Sequence, residues 1–127
     1  MFAVKSQALA LIFGIAMHHS IAGVYDSSRQ VTLDGVIREF RFVNPHPFVI
    51  VDAKDEIWKL ELDNLRELAS VGMTKDTLKA GDRIVVNGSP AREKSDRTLY
   101  VQRLDRPIDG FRLEQVGNSP RINSKSR

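Results

Sequence analysis

Three histidines are the side chains of this 127-residue sequence whose type and spacing best suit chemistry. His18 and His19 are adjacent near its start, and His46 stands between two prolines in Asn44-Pro45-His46-Pro47. A chain that begins at Met17 presents a free amine, two deprotonatable amides and an imidazole at its third position. Those four nitrogens form the square-planar set that Cu(II) and Ni(II) favour. A chain that begins at His18 instead offers one amine and one ring to the metal, with His46 as a third nitrogen. The predicted metal ligands are therefore His18, His19 and His46, and copper is the expected ion. Each histidine also has a plainer role: a solvated lead-in for the pair, and for His46 a backbone hydrogen bond that fixes its loop.

A second cluster is cationic. The polar stretch from Gly88 to Arg97 carries Arg92, Lys94 and Arg97. With His46 these residues are expected to flank one ligand-binding region, suited to an anionic or sugar ligand or to a protein partner. The plainer alternative is a solvated loop.

Other chemistries find little support. Cysteine is absent, so there is no disulfide, thiolate metal site or cysteine nucleophile. No serine lies in a recognisable nucleophile motif, and neither a glycine-rich phosphate loop nor an HExxH pattern occurs. The carboxylates Asp26, Asp34, Glu39, Glu61 and Asp82 are scattered, and Gly81-Asp82 reads as turn chemistry. The expectation is a protein that is not an enzyme. The formal charge is +3, yet residues 18–110 hold 14 basic and 15 acidic side chains. The basicity belongs to the two ends, which removes the main support for nucleic acid as a partner. Trp58 and Phe48 fall in phase with Leu60, Leu62 and Ile50 and read as core. Tyr100 is then the one strand aromatic expected outside, too little for a stacking platform.

These residues need elements to position them. Residues 1–16 read as a signal peptide, with Lys5 followed by the apolar run Ala8 to Met17 and small residues at Gly14 and Ala16. The run is shorter than the ~20 residues a transmembrane helix needs. The mature protein is therefore expected in the periplasm or outside the cell, with no stable membrane anchor. Residues 17–30 read as an extended lead-in, 31–116 as a β domain and 117–127 as a disordered basic tail. Within the domain, period-two runs predict strands at Val31 to Val43, Phe48 to Asp52, Ile57 to Leu62, Arg83 to Asn87 and Thr98 to Leu104, with a short edge strand from Phe111. The apolar phase of the first strand changes near Gly35, from Val31 and Leu33 to Val36, Phe40 and Phe42, which suggests a bulge there. Asn64 and Glu67 open a short helix that Gly72 ends. The order β-β-β-α-β-β is that of a five-stranded OB-fold-like barrel.

The sequence also resembles an uncharacterised family of small exported bacterial proteins, classified as a domain of unknown function. The resemblance rests on His18-His19-Ser20, Tyr25-Asp26, Val31-Thr32-Leu33-x-Gly35, Asn44-Pro45-His46, Trp58 with Glu61, Leu78-Lys79-x-Gly81-Asp82 and Gly88-x-Pro90-Ala91-Arg92. It covers residues 18 to about 113. Phe42 and Met73 stand where members often carry Trp, and Lys94 where they carry Gly. The resemblance implies export and the barrel, and it supplies no activity.

Overall fold

The computed structural model describes residues 20–115, 117 and 119–123. The proposed signal peptide, His18 and His19 lie outside them. Among the described residues the elements are α1 (Ser20–Val24), β1 (Val31–Arg41), β2 (Phe48–Ala53), β3 (Glu56–Glu61), α2 (Leu65–Ser70), β4 (Arg83–Pro90), β5 (Thr98–Arg106), β6 (Phe111–Glu114) and β7 (Arg121–Ile122). β1 pairs antiparallel with both β2 and β4, β2 with β3, and β4 with β5. A parallel pairing of β3 with β5, from Lys59–Thr98 to Glu61–Tyr100, closes the ring. The result is the expected OB-fold-like barrel of five strands with a helix between β3 and β4.

Strand β1 reaches both neighbours because it is long and bent. Leu33, Gly35 and Ile37 point inward while Val36 stays 45% exposed. The phase therefore does not change at Gly35. It changes at Arg38, where the register against β2 shifts between Ile37 and Glu39 and turns Phe40 toward the core. Gly35 has a different job. A Cβ there would lie 2.4 Å from the Asp52 carbonyl oxygen, so only glycine lets the two backbones approach this closely.

The inward face of β2 is Val49, Val51 and Ala53, which leaves Phe48 and Ile50 on the outer face, half-buried. Phe48 is thus not core, contrary to the sequence expectation. Period two allows either phase, and the small Ala53 sits inside where Asp52 would not. In β3, Leu60 is fully buried, and Trp58 packs on the core while remaining half-buried. Its indole Nε1 is enclosed without a hydrogen-bond partner among the described residues.

Helix α2 starts and stops on the predicted signals. The Asn64 side chain accepts from the Glu67 N–H at 2.9 Å. At the other end Met73 N–H donates to Leu68 O and Gly72 N–H to Ala69 O, with Gly72 at φ +104°. That pairing is a Schellman ending. Leu68, Met73 and Leu78 from this connection join the buried core.

One buried polar side chain is not marked by any local sequence signal. Arg106 is fully buried. It donates to both oxygens of Asp109, to Asp82 at 3.1 Å and to the Thr77 carbonyl at 2.7 Å. Its guanidinium also lies 4.9 Å from the Phe111 ring centre. Burial works against its charge, but Asp109 and Asp82 more than offset it and hold the Arg106 pKa above the usual arginine value. Asp82, which also accepts from the Lys79 N–H, ties the turn before β4 to β5.

Two terminal segments differ from expectation. The lead-in is not extended throughout: α1 forms one turn, and Tyr25 bridges Ala91. Beyond residue 116, Arg121–Ile122 pairs with β6 and Ile122 packs against the core, so this part of the tail is structured. A lone isoleucine in a polar tail gives no periodicity to read.

Candidate functional site

The loop between β1 and β2 and the outer faces of β2 and β3 enclose a cleft of about 310 Å³. It is lined by Val43, Asn44, Pro45, His46, Phe48, Lys59 and Glu61. Each wall follows from local structure. The Asn44-Pro45-His46-Pro47 turn is pinned at both ends: Leu62 N–H donates to Pro47 O and Leu65 N–H to Pro45 O. The His46 Nδ1 lies 2.8 Å from the Leu62 carbonyl oxygen. A carbonyl only accepts, so Nδ1 carries a proton, and in the neutral tautomer Nε2 is the nitrogen with the lone pair. The loop-fixing role weighed for His46 is what this geometry displays, and it leaves Nε2 for another partner.

The register places the remaining side chains. Phe48 is directly opposite Glu61 on β3, and Glu61 is beside Tyr100 on β5. Lys59 precedes Glu61 by two residues and so shares its outward face. The Lys59 ammonium sits 4.6 Å from the Phe48 ring centre, a cation–π contact. The Tyr25 hydroxyl donates to Glu61 Oε1 at 3.4 Å, a long hydrogen bond. Neither Lys59 nor Glu61 forms an ion pair among the described residues.

Behind Glu61 the lead-in lies across β5. Tyr25 is buried, and its ring is 5.8 Å from that of Tyr100. Asp26 N–H donates to Pro90 O and Arg92 N–H to Val24 O, which straps this segment down. Burial, then the nearby Asp63 and Glu61 charges, pushes the Tyr100 hydroxyl up to about 12. Burial, then Glu61, pushes Tyr25 up further. Tyr100 is outward-facing as expected, but Tyr25 covers it.

The cationic loop goes elsewhere. Arg97 pairs with Glu56 at 2.6 Å, Arg92 reaches the Ala22 carbonyl at 3.3 Å, and Lys94 is exposed. None of the three lines the cleft. The Arg97 carbonyl accepts from the N–H of Lys59, three residues before Leu62, which follows β3 and holds His46. That separation is about 10 Å. His46 shares its cleft with Lys59 and Glu61 instead. The alternation of Lys59 and Glu61 outside Trp58 and Leu60 is the sequence signal for this pair, although Glu61 by itself reads as one of several scattered carboxylates. Among the described residues no group of three or more His, Cys, Asp or Glu could hold a metal ion.

The fold and cleft define an OB-fold-like barrel with a small polar site beside its first loop. Residues 7–100 match the model of a family of unknown function, DUF6152, and the chain belongs to that family. No curated protein matches the chain. Among solved structures, it is similar to the ZRD-deleted mutant of TiaS in complex with agmatine, at 20% identity and a TM-score of 0.49. That similarity covers 64% of this chain and 22% of the other.

Proposed function

We propose that this protein is a non-catalytic binding module that takes a small polar ligand in the cleft between the β1–β2 loop and β3. The observation that carries this reading is that His46, Lys59 and Glu61, the last two without ion pairs among the described residues, line one cleft together with Val43, Pro45 and Phe48. A few polar groups on an apolar surface, in a volume near the lower end of ordinary ligand sites, is the usual composition of such a site. The protein works in the periplasm or outside the cell. Lys5, the apolar run after it and the Gly14-x-Ala16 pattern support that placement.

Two measurements test this. Titration of the 15N-labelled protein with a panel of sugars, organic acids and short peptides should move the amide signals of Asn44, His46, Lys59 and Glu61 together. Ligands that move only the 92–97 loop would defeat the assignment. Intact mass of protein taken from the cell envelope should lack residues 1–16 or 1–17.

The second reading is copper handling through the N-terminal histidines. It rests on the spacing of Met17, His18 and His19, and on the lone pair left on His46 Nε2.

A further inference from the structure

We infer that the ligand of this cleft is a zwitterion whose ammonium and carboxylate are held apart by a short spacer, as at the two ends of a dipeptide. The inference rests on the cleft being a ligand site. Its starting point is two opposite charges on one wall. Lys59 and Glu61 face outward from the same strand, two residues apart, and both line the cleft. They pair neither with each other nor with another charged side chain among the described residues. Glu61 is half-buried and accepts a long hydrogen bond from the Tyr25 hydroxyl at 3.4 Å. The Lys59 ammonium rests on the Phe48 ring. Glu61 has given up part of its water, Lys59 remains exposed beside the Phe48 ring, and neither charge has a counter-charge among the described residues.

Ligand classes differ in how they answer this. A monoanion satisfies Lys59 but meets Glu61, and a monocation does the reverse. A neutral sugar leaves both charges without counter-charges. A zwitterion brings its ammonium to Glu61 and its carboxylate to Lys59. Two residues along a strand separate the anchoring backbones by about 6.5 Å, which suits charges several ångströms apart better than the adjacent charges of an α-amino acid. The remaining walls fit a peptide between the charges. Val43, Pro45 and Phe48 offer apolar surface to a small side chain, while the Asn44 amide and His46 Nε2 offer hydrogen bonds to a peptide group.

The test uses the full mature protein and named probes: Ala-Ala, N-acetyl-Ala-Ala, Ala-Ala amide, 4-aminobutyrate, alanine and maltose, each followed by 15N chemical shifts and calorimetry. Ala-Ala is expected to move the cleft signals, and blocking either end should weaken binding by about tenfold or more, as for loss of one charge-assisted pair. Binding of 4-aminobutyrate but not alanine assigns the recognition to charge spacing; binding of Ala-Ala alone adds the peptide group to it. Lys59→Glu and Glu61→Lys should each abolish binding, and the double exchange, which conserves net charge, should restore it with the ligand reversed. If the blocked peptides bind as well as Ala-Ala, or if maltose alone moves the cleft signals, the zwitterion is overturned while the cleft stands. If no probe moves them, the zwitterion is overturned, and failure of the broader ligand panel would overturn the cleft as well.

Discussion

The ring of Tyr25, from the segment before the barrel, lies tilted by 31° against that of Tyr100 on β5, with centroids 5.8 Å apart. These are the two tyrosines of the chain, so tyrosinate absorbance reports this contact alone. Burial favours the neutral phenol in both, and their folded pKa values lie above the unfolded value, with Tyr100 at about 12. The associated stability is therefore fully present below about pH 10, the unfolded value, and is lost as pH rises through the folded values. At about pH 11 the native protein should show little tyrosinate absorbance, while the protein in guanidinium is mostly ionised. The melting temperature should fall over the same interval, and less steeply in Tyr25→Phe. Native and denatured titrations that coincide would mean that the strap does not enclose these hydroxyls.

The buried guanidinium of Arg106 should be the most sensitive polar position in the domain. Arg106→Ala leaves Asp82 and Asp109 facing each other without the cation and should cost about 3–5 kcal/mol in urea unfolding. Arg106→Lys should recover little, because an ammonium cannot serve two carboxylates and the Thr77 carbonyl in the fork geometry seen here. The exposed pair Arg83–Asp34 provides the contrast. Its removal should be nearly silent in the same unfolding experiment, since both side chains are solvent-exposed and water screens their attraction. Equal effects at the two pairs would contradict the burial of Arg106.

The strand order and the short helix were legible because their signals are local. Alternation marks the strands, and Asn64, Glu67 and Gly72 mark the ends of α2. What escaped the sequence depends on which face a strand turns inward. Phe48 and Ile50 alternate as well with an outer face as with a core, and the phase is decided at the far end of the strand, where Ala53 turns inward and Asp52 does not. The cleft escaped for the same reason, since its floor is Phe48. Its charges lie on β3 while its histidine belongs to a loop, and nothing in their sequence spacing announces that Leu62 brings them together. Arg106 was invisible because its partners are 24 and three residues away and each reads alone as a turn aspartate.

Two glycines hold backbone crossings that no larger residue fits. A Cβ at Gly88 would fall 2.2 Å from the Tyr100 carbonyl oxygen, and one at Gly35 falls almost as close to that of Asp52. Gly88→Ala and Gly35→Ala should each destabilise the barrel by about 1–3 kcal/mol or more, the ordinary cost of overpacking. Gly23, in α1, has open space where its Cβ would be. Gly23→Ala should leave the urea midpoint unchanged or slightly raised, since alanine is the better helix former. A similar loss at all three would point to a general intolerance of the chain rather than to these two crossings.

The copper reading makes a prediction that separates a property of the terminus from a property of the fold. If maturation exposes Met17, the amine, two amides and His19 complete a planar nitrogen set without any help from the barrel. One residue added before Met17 should then move His19 from the third position and change the paramagnetic resonance spectrum of bound Cu(II), and His19→Ala should do the same. His46 enters only through Nε2, because its Nδ1 proton is given to the Leu62 carbonyl. His46→Ala should therefore leave a purely terminal chelate untouched. It should alter the spectrum if maturation exposes His18 and the barrel loop supplies the third nitrogen. In that second case copper would compete for the cleft, and Cu(II) should broaden the amide signals of Asn44 and Lys59 in the wild type but not in His46→Ala. Identical spectra from the authentic, extended, His19→Ala and His46→Ala proteins would place the ion on none of these nitrogens and remove copper as a ligand of this chain's histidines.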